Sequence, residues 1–212
     1  MGSQDVERRE REGPDLKATP LPTRERQRLD TRNLIFEVAV AEIAELGLGQ
    51  ARIEHIARKA GVTRPTIYAH FPSKEDFLRE LQARSEIFAV RTLGERLGDA
   101  RGVDWVHRLV DAVFDLVDSA NPVLRREVFA LIVRESPEAD WTGNPLFGFL
   151  TDRFADARSR GELSPGMAPS ELTRIVMTAL FGFLIVEAEP AELRRRVAHQ
   201  TLDLLIAGAA AS

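Results

Sequence analysis

A chain of 212 residues, 44% hydrophobic and 29% charged, has the balance of an ordinary globular protein, with room for one medium domain or a small domain joined to a larger one. It contains no cysteine, which excludes disulfides, thiolate zinc sites, iron–sulfur clusters and cysteine nucleophiles together. The net charge of −4 is unevenly spread: residues 24–78 carry nine basic and eight acidic side chains, residues 79–212 carry sixteen and twenty, so a slightly basic head precedes an acidic body.

Residues 1–22 mix Arg, Glu, Gly and Pro with almost no large apolar side chain, the composition of a disordered tail. Arg8, Arg9 and Arg11 would suit an arm reaching into a groove, but Glu7, Glu10 and Glu12 are interleaved with them and favour a solvated tail. No apolar signal-peptide segment is present, and no run reaches the ~18 apolar residues of a membrane span. The best candidate, Ile175 to Val186, stops at Glu187. A cytoplasmic protein is expected.

From Arg24 onward Ile35, Ala39, Ile43 and Leu46 recur at helical spacing, and Gly47 and Gly49 predict the end of that helix. A short helix follows over 53–60, then Gly61, then a second short helix over 64–70 with Thr63 as its N-cap and Pro65 in its first turn. Phe71-Pro72 breaks it. Ser73 caps a longer helix, with Asp76 completing a capping-box pattern. That helix is predicted near 74–97, and further helices near 103–119, 122–135, 145–160, 170–187 and 191–208, separated by Gly, Pro and Asn breaks. Nothing alternates with a strand period, so the fold class is all-α.

The run from Ile53 to Phe71 carries the chemistry. Two short helices must cross steeply at a tight turn, where only a small side chain fits; Ala57 supplies it and Gly61 supplies the turn. Ile56, Ala60, Val62 and Ile67 are spaced to fill the wedge behind them. A DNA-reading helix-turn-helix needs this order, because its second helix must protrude while its back face stays anchored.

The pattern Ile56-Ala57, Ala60-Gly61-Val62, Thr63, Thr66, Ile67, Tyr68, Phe71 and Ser73-Lys74-Glu75 resembles the DNA-binding head of the tetracycline-repressor (TetR) family. The resemblance implies a three-helix DNA-binding domain over 23–72, after the 1–22 tail, and an effector-binding and dimerisation body over 73–212. It implies that Arg64, Pro65 and Thr66 face base edges, with Arg64 suited to bidentate bonds with guanine. Tyr68, His70 and Lys74 would contact phosphate, and Thr63 would be both N-cap and phosphate neighbour. Many relatives carry Thr just before the first short helix. Here Gln50-Ala51-Arg52 stands there; either Arg52 takes over that phosphate contact, or the helix starts later.

The resemblance also implies a small-molecule effector in the body and release of DNA when it binds. Trp105, Phe129, Phe147 and Met177 are candidate lining residues, although helical aromatic stripes are commonly plain core. Arg125, Arg126 and Glu127 read as surface, the alternative being that one of them reaches inward and selects a charged ligand. In the last two helices Ile175, Ala179, Phe183 and Val186 form one stripe, and Leu193, Val197, Leu204 and Leu205 another. Paired with the same stripes of a second copy they would build a four-helix dimer interface, and two-fold symmetry then predicts a near-palindromic operator. No cofactor, metal or catalytic role is expected: there is no phosphate loop, no zinc-type histidine pair and no Ser-His-Asp pattern. The reading is a transcriptional repressor; an activator or a helical interaction protein without an effector is the alternative.

Overall fold

The computed structural model describes residues 22–135, 143–163, 166–185 and 190–209. The predicted tail, apart from Pro22, lies outside them, as do Trp141, Val186 and Glu187. The described residues form helices α1 (Thr23–Leu46), α2 (Ile53–Ala60), α3 (Arg64–His70), α4 (Glu75–Leu97), α5 (Gly102–Ser119), α6 (Pro122–Glu135), α7 (Pro145–Ser159), α8 (Pro169–Ile185) and α9 (Ala191–Ala209).

Local chemistry sets the boundaries. Of the two glycines after α1, only Gly47 takes a positive φ, 77°, and its N–H closes the helix on the Ile43 carbonyl at 2.8 Å. Gly61 sits in the left-handed region, which an L side chain rarely enters, and ends α2. There the Gly61 N–H donates to the Arg58 carbonyl and the Val62 N–H to the Ala57 carbonyl, the paired bonds of a Schellman turn. The Thr63 hydroxyl accepts the Thr66 N–H at 3.4 Å, and the Asp76 carboxylate reaches back to the Ser73 N–H at 2.7 Å. Asn144 opens α7, accepting from the N–H groups of Leu146 and Phe147.

Two cores result. Ile35, Ala39 and Ile43 of α1 close over Ile56 of α2, Ile67 of α3 and Phe71 in the head. The body core joins α5, α7, α8 and α9 through residues such as Leu109, Phe114, Phe154, Val176 and Leu202. Two helices belong to both. α4 places Phe77 and Leu78 in the head and Leu93 and Leu97 in the body; α6 places Leu131 in the head core and packs Phe129 against the body core. His107 and His199, remote in sequence, meet on α5 and α9 with ring centroids 4.8 Å apart, each bonded to an aspartate of the other helix, Asp203 and Asp111 respectively.

Candidate nucleic-acid interface and body cavity

α3 has one anchored side and one open side. Ile67 is wholly buried, so truncating it to alanine would cost about 2–5 kcal/mol and loosen the helix from its support. Arg64, Pro65, Tyr68 and Ala69 face solvent on the other side, with Thr66 half-buried beside them. Tyr68 is 43% exposed, unusual for an aromatic residue beside a tightly packed head, and its hydroxyl is free to meet an external partner. Thr63 and Arg52 are exposed at the N-terminal ends of α3 and α2. Arg52 is the N-cap residue of α2 but makes no side-chain capping bond.

The remaining candidates carry constraints that sequence does not reveal. The Arg64 guanidinium pairs with Glu54 of α2 at 2.7 Å, both side chains 55% exposed. Such a solvated pair contributes little and can open to a base edge. His70 is half-buried; burial lowers its pKa, and the nearby charges of Arg28 and Arg32 lower it further, so its ring is neutral at pH 7. Arg32 lies over the Phe71 ring, donates to the His70 carbonyl, and pairs with Glu80 of α4 at 2.7 Å, which locks the end of α3 between α1 and α4.

Lys74 departs most from expectation. Its ammonium donates to the carbonyls of Leu48, Gly49 and Ala51 at 2.8, 3.3 and 3.2 Å. All three protons an ammonium can offer are directed into the α1–α2 turn rather than outward. Lys74 is therefore a clamp between the start of α4 and the turn that precedes α2. A second clamp holds α2 to α1: the buried Glu42 carboxylate accepts from Lys59 at 2.7 Å and lies 3.3 Å from the His55 ring. The Lys59 bond is the main reason the Glu42 carboxyl titrates below its ordinary range, outweighing the opposing effect of burial.

The body holds a half-open cavity of about 450 Å³ between α4, α5, α6, α7 and α8. Phe129 and Met177 stand in its wall. Trp105 and Phe147, also candidate lining residues, do not: Trp105 is buried edge-on against Phe154 at 5.0 Å, and Phe147 is buried in the α7 region beneath Arg174. The polar groups at the cavity belong to Gln82, Ser85 and Glu86 of α4, Glu135 of α6 and Asn144. None carries a sequence signal, because polar residues on an amphipathic helix read as its solvated side. Glu127, read as surface, accepts the Leu48 N–H at 2.9 Å and so ties α6 to the turn that Lys74 grips. Arg125 is turned back, donating to the Val117 carbonyl at 3.2 Å. Among the described residues no helix is long and apolar enough to cross a membrane, and no group of three or more acidic or histidine side chains is placed to hold a metal ion.

A short helix anchored by Ile67, presenting Arg64, Tyr68 and its capped N-terminus to solvent across a glycine turn, defines a helix-turn-helix DNA-binding protein. The family model described as "Bacterial regulatory proteins, tetR family" matches residues 35–81, which span the anchored part of α1 through the first turns of α4. Over those residues the chain resembles that family's DNA-binding head. It is 25% identical over 184 residues to the HTH-type transcriptional regulator UidR of Escherichia coli K12, covering 84% of this chain and 92% of UidR. Among solved structures it is similar to Thermus thermophilus FadR, a TetR-family transcriptional repressor in complex with lauroyl-CoA, with a TM-score of 0.68 at 18% identity over 82% of this chain and 93% of that one. It is also similar to a SmeT–triclosan complex, with a TM-score of 0.54 at 24% identity over 85% of this chain and 92% of that one. SmeT is the repressor of the Stenotrophomonas maltophilia multidrug efflux pump SmeDEF.

Proposed function

We propose that this chain is a regulator of the TetR family that binds a near-palindromic operator as a homodimer, represses transcription there, and is released when a small molecule fills the body cavity. The observation that carries the reading is the two-sided α3, buried at Ile67 and open at Arg64 and Tyr68. Arg64, Pro65 and Thr66 face bases; Arg52, Thr63, Tyr68 and His70 meet the backbone. Lys74 serves the same interface indirectly, by fixing the turn from which α2 springs. The protein regulates rather than catalyses, and works in the cytoplasm where its operator is.

The dimer reading is supported by what α8 and α9 leave uncovered. Their inward sides carry Leu172, Val176, Leu180, Ala198 and Leu202. Their outward sides keep Ile175 38%, Ile185 39% and Leu204 76% exposed, with Ala179, Phe183, Val197 and Leu205 only half-buried. Apolar residues at helical spacing on the open side of two adjacent helices are suited to a matching pair from a second copy.

The effector reading is supported by the cavity and its neighbours. Lauroyl-CoA and triclosan accompany two proteins of this fold, and here α4 and α6 wall the cavity while also packing into the head. The domains therefore divide functionally near residue 73, although the head core continues into α4 as far as Leu78. An effector acts if it binds the DNA-incompetent arrangement of α4 and α6 more tightly than the competent one. Fluorescence anisotropy on duplex DNA flanking its own gene tests the core of the reading. Affinity is expected to fall linearly with the logarithm of salt concentration, as counterion release requires, and an affinity indifferent to salt would remove phosphate binding from the account.

A further inference from the structure

The charge at the cavity is of one sign. Its walls are apolar, with Leu109, Val113, Phe129, Met177, Phe181 and Leu184 among them. Among the described lining residues the charged side chains are two carboxylates, Glu86 and Glu135. They are not equivalent. Glu135 is met by Arg79, whose Nη2 lies 2.7 Å and Nε 3.2 Å from Oε1, so its charge is balanced by the protein. Glu86 is met by neutral donors: the Gln82 side-chain amide and the Asn144 side-chain amide each donate to Oε1 at 2.9 Å. No described arginine, lysine or histidine pairs with it.

We propose that the cavity selects an apolar organic cation, with Glu86 as its counter-ion. The inference rests on the cavity being the effector site and adds the charge of what enters it. Gln82 and Asn144 are positioning residues: by holding Oε1 from two sides they aim the carboxylate and leave Oε2 to the ligand. An anionic ligand would set like charges together between apolar walls, where their repulsion is poorly screened. A neutral ligand would displace water from a carboxylate and return nothing. A cation with a hydrocarbon body offsets the charge and fills a space that lies within the roughly 300–1,000 Å³ of typical ligand pockets.

The test uses the full chain and three probes with one decyl tail: decyltrimethylammonium, decan-1-ol and decanoate, titrated calorimetrically at fixed ionic strength below their aggregation concentrations. Decyltrimethylammonium is expected to bind at least about tenfold more tightly than decanoate, with decanol between them. Glu86→Gln, which keeps shape and removes charge, is expected to erase that ratio, with decanol bound no more weakly than by wild type because the carboxylate it would desolvate is gone. A wild-type preference for decanoate or decanol, binding of none of the three, or a cation preference that survives Glu86→Gln would each overturn the proposal. The wild-type series stands even if the variant folds poorly. DNA release is followed separately by anisotropy: charge-selective binding without release sinks the effector reading alone, whereas release by decanoate in preference to the cation sinks the charge assignment alone.

Discussion

Replacing Lys74 by methionine keeps an unbranched chain of similar length and removes the ammonium. Three carbonyls lose a donor, those of Leu48, Gly49 and Ala51, at 2.8, 3.3 and 3.2 Å. A hydrogen bond to a charged group contributes about 1.5–3 kcal/mol, but two of these bonds are long and the Gly49 bond is exposed, so water recovers part of them. Counting the Leu48 bond in full and the others fractionally gives a loss of about 2 kcal/mol, or a urea midpoint lower by on the order of 1 M. The assay pairs urea unfolding with anisotropy on operator DNA at several salt concentrations. A clamp predicts lower stability, weaker operator binding through a loosened α2, and an unchanged salt slope. A direct phosphate contact predicts the reverse: unchanged stability and a slope shallower by about one counterion. That second outcome would refute the assignment of Lys74 to the turn.

Three further predictions follow from other contacts. The Glu42 carboxyl is held below its ordinary value of 4.5 by the Lys59 bond, so its contribution is complete above that pH and is lost as pH falls through the lowered value. Wild type should thus lose stability more steeply than Glu42→Gln between about pH 4.5 and acid unfolding, and parallel curves from urea titrations across pH would contradict this. Glu127→Ala leaves the Leu48 N–H without its acceptor, which should cost about 1–2 kcal/mol of stability and weaken the effect of ligand on DNA affinity; an intact ligand response measured by anisotropy would clear α6 of a coupling role. Leu204→Glu changes a side chain 76% exposed on one chain, so it should shift sedimentation velocity from dimer to monomer while far-ultraviolet circular dichroism stays constant, and a persistent dimer would place the interface elsewhere.

Helix order was legible because the residues that start and stop these helices act locally. Gly61 adopts the left-handed turn that its position after Ala60 suggests, Thr63 caps α3, and Asp76 reaches Ser73. The stripes of α8 and α9 were legible in part: Ile175 and Leu204 stay exposed beside the inward Val176 and Leu202, whereas Ala179, Phe183 and Leu205 pack against the body core. What stayed hidden depends on distant partners. The carbonyls that take the Lys74 protons lie 23 to 26 residues away and belong to the backbone, which carries no residue-type signature. Aromatic identity could not separate Phe129, in the cavity wall, from Trp105, whose ring is spent on Phe154. Glu86 reads as an ordinary solvated residue until α7 brings Asn144 to it.

The most direct measurement of the central claim is selection of duplexes from a random library by the full chain, repeated with Arg64→Ala. If α3 enters two major grooves of one duplex, wild type will enrich an inverted repeat with half-sites about one or two helical turns apart, and the variant will relax selectivity at one position in each half. Recovery of sequences without two-fold symmetry, or of the same repeat with undiminished selectivity from Arg64→Ala, would contradict it.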